Sequence, residues 1–123
     1  MRSGVVIFPG SNCDRDMIVA LRKITGKTPI KIWHKEYYIP NLDLVVIPGG
    51  FTFGDYLRCG ALAARSPVIT SIKNHISRGG TVLGVCNGFQ ILIEAKILPG
   101  SLIRNEKLLF TCRETTLEVQ SCI

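Results

Sequence analysis

The chain of 123 residues is 46% hydrophobic and carries 15 Lys and Arg against nine Asp and Glu, a formal charge of +6. That length suits one domain with a real core, and the composition excludes a disordered or fibrous polymer. The basic residues are scattered, with Arg22-Lys23 as the longest block, so a solvated surface is expected rather than a nucleic-acid face.

No apolar run is as long as a membrane span, and Arg2 is followed by a short strand rather than by a signal peptide. A cytoplasmic protein without membrane contact is expected. Cys13, Cys59, Cys86, Cys112 and Cys122 form an odd set with no C-x-x-C pair, which argues for reduced thiols and against a metal site or a disulfide framework.

In chain order, Gly4 to Phe8 is apolar and β-branched, the pattern of an interior parallel strand. Pro9-Gly10-Ser11-Asn12 is a turn, and Ser11 or Asn12 is placed to cap a helix from Cys13 to Thr25 that ends at Gly26. Ile30 to Trp33 and Leu44 to Ile47 read as the second and third strands. A glycine-rich loop, Pro48 to Asp55, follows; it matches neither nucleotide fingerprint. Tyr56 to Ala64 reads as a helix. A second helix runs from Pro67 to Arg78, with Ile69, Ile72 and Ile76 inward, and Gly79-Gly80 ends it. Thr81 to Val85 is the fourth strand, Phe89 to Ala95 suits a helix, and Leu108 to Cys112 and Thr116 to Val119 read as late strands.

Strands alternating with helices imply an α/β fold, a flavodoxin-like three-layer sandwich with a mainly parallel sheet. Ligands of such folds lie at the carboxyl ends of the strands. Three loops meet there: Pro9 to Asp14, Gly49 to Asp55, and Gly84-Val85-Cys86-Asn87-Gly88. The last has the strand, sharp turn, helix arrangement of a nucleophile elbow, which makes Cys86 the candidate nucleophile; the plainer alternative is a buried core cysteine. The following helix favours a thiolate, and the N–H groups of Gly50 and Asn87 are candidates for an oxyanion hole. A base is harder to find, since His34 follows a strand and His75 lies mid-helix, where packing or surface roles fit better.

Three stretches together carry a resemblance: Phe8-Pro9-Gly10-Ser11-Asn12-Cys13-Asp14, Pro48 to Gly60, and Gly84 to Gln90. They resemble the glutaminase subunits of phosphoribosylformylglycinamidine synthase, class I glutamine amidotransferases of purine biosynthesis. The likeness extends to about Val119. It implies that Cys86 attacks the side-chain amide of glutamine, giving a γ-glutamyl thioester and ammonia. The ammonia would pass to a larger synthetase subunit, and in many bacteria a small third subunit helps assembly. No cofactor is implied for this chain; ATP and magnesium belong to the synthetase subunit. Gln90 would orient glutamine, or else face solvent from the first helical turn. Phe51 would wall the pocket. Asn12, Asp55 and Arg58 match positions near the site or the subunit interface, although Asp55 equally suits a helix cap and Arg58 a surface ion pair. Cys13, Cys59 and Cys112 also match, with packing as the expected role.

The sequence departs from the family in one respect. Class I amidotransferases activate the cysteine with a His and a Glu on one short segment near the C-terminal end of the domain, whereas the one His-x-Glu of these 123 residues, His34-Lys35-Glu36, directly follows the second strand. Residues 1–123 therefore read as a single partial amidotransferase domain, with slow or absent glutamine hydrolysis and low stability or self-association expected of the isolated chain. Two other readings compete. One is a non-catalytic flavodoxin-like scaffold that binds the synthetase subunit. The other is a cysteine-elbow protein of the stress-response group that handles reactive aldehydes, for which Gly54-Asp55-Tyr56-Leu57-Arg58 is not expected.

Overall fold

The computed structural model describes residues 1–119. Four strands, β1 (Ser3–Ile7), β2 (Ile30–Trp33), β3 (Leu44–Ile47) and β4 (Thr81–Gly84), form one sheet in the order β2-β1-β3-β4, with every pair parallel. Helix α1 (Asp14–Thr25) joins β1 to β2, α2 (Val68–Ser77) lies between β3 and β4, and α3 (Asn87–Glu94) follows β4. Thr52–Asp55 is a tight turn with Phe53 and Gly54 at positive φ, and Ala63–Arg65 is a short 3-10 turn.

Strand alternation sorts the core into two layers. Val5 and Val46 face one way and bury Leu21 of α1. Val6, Phe8, Val45 and Ile47 face the other way, against Val68, Ile69 and Ile72 of α2 and Ile91 and Leu92 of α3. The result is a helix, sheet, helix sandwich of flavodoxin-like kind, as the alternation of elements in the sequence implies.

The departures from expectation have physical causes. Neither Ser11 nor Asn12 caps α1: Cys13 holds the N-cap position without a side-chain bond. Asn12 instead lies against Gly50, and the Ser11 hydroxyl is buried without a partner among the described residues. Asp14 and Asp16 in the first turn complement the helix dipole in its place. Gly26 does close α1, at φ 69°.

Tyr56 to Ala64 is not a helix. Asp55, Leu57 and Gly60 take φ of 55°, 69° and 80°, which a right-handed helix cannot contain. In the last turn of α2 the buried residue is His75 rather than Ile76; its ring packs on Gly80 and its Nε2 pairs with the Thr81 carbonyl. Residues 108–112 and 116–119 form no strand. Leu109, Phe110, Leu117 and Val119 are exposed, and an apolar run without a neighbouring strand to pair with has nothing to hold it extended. Cys122 lies outside the described residues.

Candidate active site

In the order β2-β1-β3-β4 the chain leaves β1 toward one edge of the sheet and returns through β3 toward the other. The crevice opens where the connections part, at the carboxyl ends of β1 and β3. The loops there are sewn together by backbone bonds. Cys13 N donates to the Gly49 carbonyl (3.3 Å), Phe51 N to Gly10 O (3.0 Å) and Phe53 N to Pro9 O (2.8 Å). Gly50 makes this approach possible. At φ 144° a β-carbon would lie 2.7 Å from the Asn12 nitrogen, a distance no side chain tolerates.

The third loop joins them from β4. Val85 N is held by the Ile47 carbonyl (3.0 Å), and the chain then reverses at Cys86, which takes φ 51° and ψ −111°. A non-glycine residue in that region is strained, and such strain collects at functional sites. The turn is stabilised on its far side: Gly88 N bonds Val85 O (2.8 Å) and Gln90 N bonds Cys86 O (3.1 Å), starting α3. Gly88 is pressed so closely on the Ile47 carbonyl that any β-carbon would collide with it. Cys86 itself is exposed, which disposes of the core-cysteine alternative.

Asn87, only 1% exposed, ties the elbow to the loop after β3. Its Oδ1 accepts from Thr52 N (3.1 Å), and its Nδ2 donates to Gln90 Oε1 (3.0 Å) and Asp55 Oδ1 (3.3 Å). Asp55 is thus a partner of Asn87 rather than a helix cap. Gln90 is half-buried beside it, so the solvent-facing alternative does not describe it. The backbone N–H groups of Gly50 and Asn87 form no hydrogen bond among the described residues. Phe51 is 62% exposed at the mouth of the loop, whereas Phe53 packs into the core edge-on to His34, with ring centroids 5.4 Å apart. Arg58 reaches Glu94 of α3 with two bonds (2.6 and 2.9 Å), the surface ion pair. That contact holds the Glu94 carboxyl below its usual range.

Two cysteines expected to pack do not. Cys13 and Cys112 are exposed, and only Cys59 is half-buried. Burial, then the neighbouring Asp55 carboxylate, pushes the Cys59 thiol up. Thr52 and Cys13 also meet the elbow, Thr52 through its N–H on Asn87 Oδ1 and Cys13 across Gly49 from Cys86; the sequence signal for both is their position in the loops that follow β3 and β1.

Neither histidine is free. His34 is buried, with Nδ1 on the Ser66 hydroxyl (3.1 Å), and burial, then Lys35, lowers its pKa. A cavity of about 420 Å³ lies here, lined by His34, Tyr37 and Ser66. The first N–H groups of α2 beside it are already bonded, to His34, Ser66 and Pro67 carbonyls. Among the described residues no group of three His, Cys, Asp or Glu is arranged to hold a metal ion, and no helix is long and apolar enough to cross a membrane.

The profile of the CobB/CobQ-like glutamine amidotransferase domain matches residues 1–121. The chain belongs to that family. It is 58% identical over 119 residues to phosphoribosylformylglycinamidine synthase subunit PurQ of Mesorhizobium japonicum, covering 97% of this chain and 54% of the relative. Identity to the protein of the same name in Rhizobium johnstonii is 62% over 119 residues, covering 97% of this chain and 53% of the relative. In solved structures, a chain in the structure of PurLQS from Thermotoga maritima superposes with a TM-score of 0.79 at 44% identity, covering 86% of this chain and 49% of that one. The chain therefore spans about half the length of the curated relatives it matches.

Proposed function

We propose that the chain is the nucleophile-bearing portion of a glutamine amidotransferase subunit that supplies ammonia to a phosphoribosylformylglycinamidine synthase. The observation that carries this reading is the exposed Cys86 at φ 51° on the turn between β4 and α3. The family and the names of the relatives support the substrate class.

In this reading the Cys86 thiolate adds to the carbonyl carbon of the glutamine side chain. The oxyanion that forms is held by the N–H groups of Gly50 and Asn87. Collapse breaks the C–N bond, and ammonia leaves after taking up a proton. Water then attacks the γ-glutamyl thioester, the C–S bond breaks, and glutamate departs with Cys86 restored. Gln90 and Phe51 line the glutamine side, Gln90 with its amide held by Asn87. Asn12 supports the Gly50 loop, and Arg58 braces the loop on α3 toward the synthetase subunit.

The proton steps need a base, and the His-x-Glu at residues 34–36 does not offer one, because His34 is buried against Ser66; His75 is engaged with the Thr81 carbonyl. Glutamine turnover by the chain alone is accordingly slow, and a fast rate would contradict this assignment of the base. ATP and magnesium enter only with the synthetase subunit, and a small third subunit completes the assembly.

The test is labelling with a diazoketone analogue of glutamine, read by peptide mass spectrometry. Selective modification of Cys86, competed by glutamine and abolished in Cys86→Ser, is expected. Uniform slow alkylation of all five cysteines would favour the non-catalytic scaffold instead.

A further inference from the structure

Cys13 follows β1 and Cys86 follows β4, yet both lie against Gly49. A β-carbon built on Gly49 would lie 3.4 Å from Cβ of Cys86 and 3.6 Å from Sγ of Cys13. Because residue 49 is glycine, no side chain stands between the sulfur of one cysteine and the β-carbon of the other. Both cysteines are exposed. The Cys13 thiol has one side-chain partner, Asn12 Oδ1 at 3.5 Å, a weak sulfur bond that is readily exchanged. The backbone beneath them is fixed, through Cys13 N on the Gly49 carbonyl and Val85 N on the Ile47 carbonyl. By those two distances the Cys13 sulfur lies within 7.0 Å of the Cys86 β-carbon, and rotation about the Cα–Cβ bonds is fast for exposed side chains.

We infer that Cys13 and Cys86 form a reversible intramolecular disulfide when the chain meets a hydroperoxide, closing the elbow to other electrophiles. The crosslink rests on this geometry and not on the glutamine reading. In the first step the Cys86 thiolate attacks a peroxide oxygen; an S–O bond forms, the O–O bond breaks, and the departing oxygen takes a proton to leave as water or alcohol. In the second, the Cys13 sulfur attacks the sulfur of the Cys86 sulfenic acid. The S–S bond forms, the S–O bond breaks, and hydroxide leaves with the Cys13 proton as water. Two thiols are oxidised by two electrons and the peroxide is reduced by two.

Cys59 is the competing partner. It is half-buried, and burial, then the Asp55 carboxylate, raises the pKa of its thiol, which makes it the less accessible and poorer attacking group. Reaction at Cys13 spares Cys86 from irreversible oxidation to the sulfinic acid.

The experiment exposes the full chain to hydrogen peroxide, quenches with a maleimide, and maps the unreduced peptides by mass spectrometry. A peptide pair joining Cys13 to Cys86 is expected, released by dithiothreitol. In Cys13→Ser the pair is lost and Cys86 proceeds to sulfinic acid, while Cys59→Ser retains it. Gly49→Ala, whose β-carbon fits at ordinary contact distances, also loses the pair while keeping the circular dichroism spectrum of the parent. Cys86 joined to Cys59, joined only between molecules, or carried to sulfinic acid with Cys13 left alkylated would each overturn the inference.

Discussion

Replacing Asn87 with alanine removes the buried amide that joins the elbow to the loop after β3. The largest cost falls on Thr52, whose backbone N–H loses its acceptor in a position that is 2% exposed. An orphaned buried donor costs about 1–3 kcal/mol. The bonds from Nδ2 to Asp55 and Gln90 are half-exposed, so water replaces them in part and their loss adds about 0.5 kcal/mol each. Asn87→Ala is therefore expected to lose about 3 kcal/mol, a large share of an ordinary domain's stability. With a urea slope of about 1.5 kcal/mol per molar, the midpoint followed by circular dichroism falls by about 2 M. Asn87→Asp keeps the acceptor for Thr52 but sets a carboxylate against Asp55. Adding Asp55→Asn to that variant is expected to recover most of its loss. A midpoint shift under about 0.3 M for Asn87→Ala would show that Thr52 N–H is satisfied some other way and refute the reasoning.

Other outcomes follow from the same geometry. Gly88→Ala drives a β-carbon into the Ile47 carbonyl, which belongs to the central sheet and cannot yield; a loss of about 3 kcal/mol or an unfolded chain is expected by thermal melting, whereas an unchanged melting point would contradict it. The Glu94 carboxyl is depressed from 4.5, chiefly by the Arg58 hydrogen bonds, so its contribution is full above that pH and disappears as acid brings the pH through its folded value. Glu94→Gln should flatten that acid limb, and salt should narrow the difference from the parent because the Arg58 side chain is 61% exposed. Burial lowers His34 from 6.5, so below that pH the unfolded chain binds a proton that the folded chain refuses, and stability falls with decreasing pH. An NMR titration of the His34 ring with a midpoint at or above 6.5 would count against it.

The parts of the fold that were legible in the sequence are those set by burial on both faces. Val5, Val6, Val45, Val46 and Ile47 form continuous apolar runs because the sheet is covered on both sides, and such runs identify strands without help from tertiary context. Residues 56–64 were misleading, since apolar spacing there resembles a helix while the backbone is set by contacts distant in sequence. These are the Arg58 pair with Glu94 and the close approach of Gly60 to Ile91. Residues 108–119 carry strand-like composition but find no neighbour among the described residues, and pairing is what turns such composition into a strand. At the candidate site, Cys86 and the glycine loops could be read from local pattern. The junction made by Asn87 could not, because nothing in the spacing of residues 52, 55, 87 and 90 shows that one amide serves three of them.

The position of β4 gives the elbow a handedness. One long side of β4 pairs with β3, and its other side has no partner strand among the described residues. The loop of residues 49–55, which follows β3, consequently meets Cys86 from the β3 side, through Gly49. A strand added in parallel to the open side would lie about 4.8 Å from β4 and end level with Gly84. Its carboxyl end would then arrive on the side of the elbow away from β3. The outer edge of β4 is thus where the sheet can grow beside this cysteine without displacing the pairing of β4 with β3.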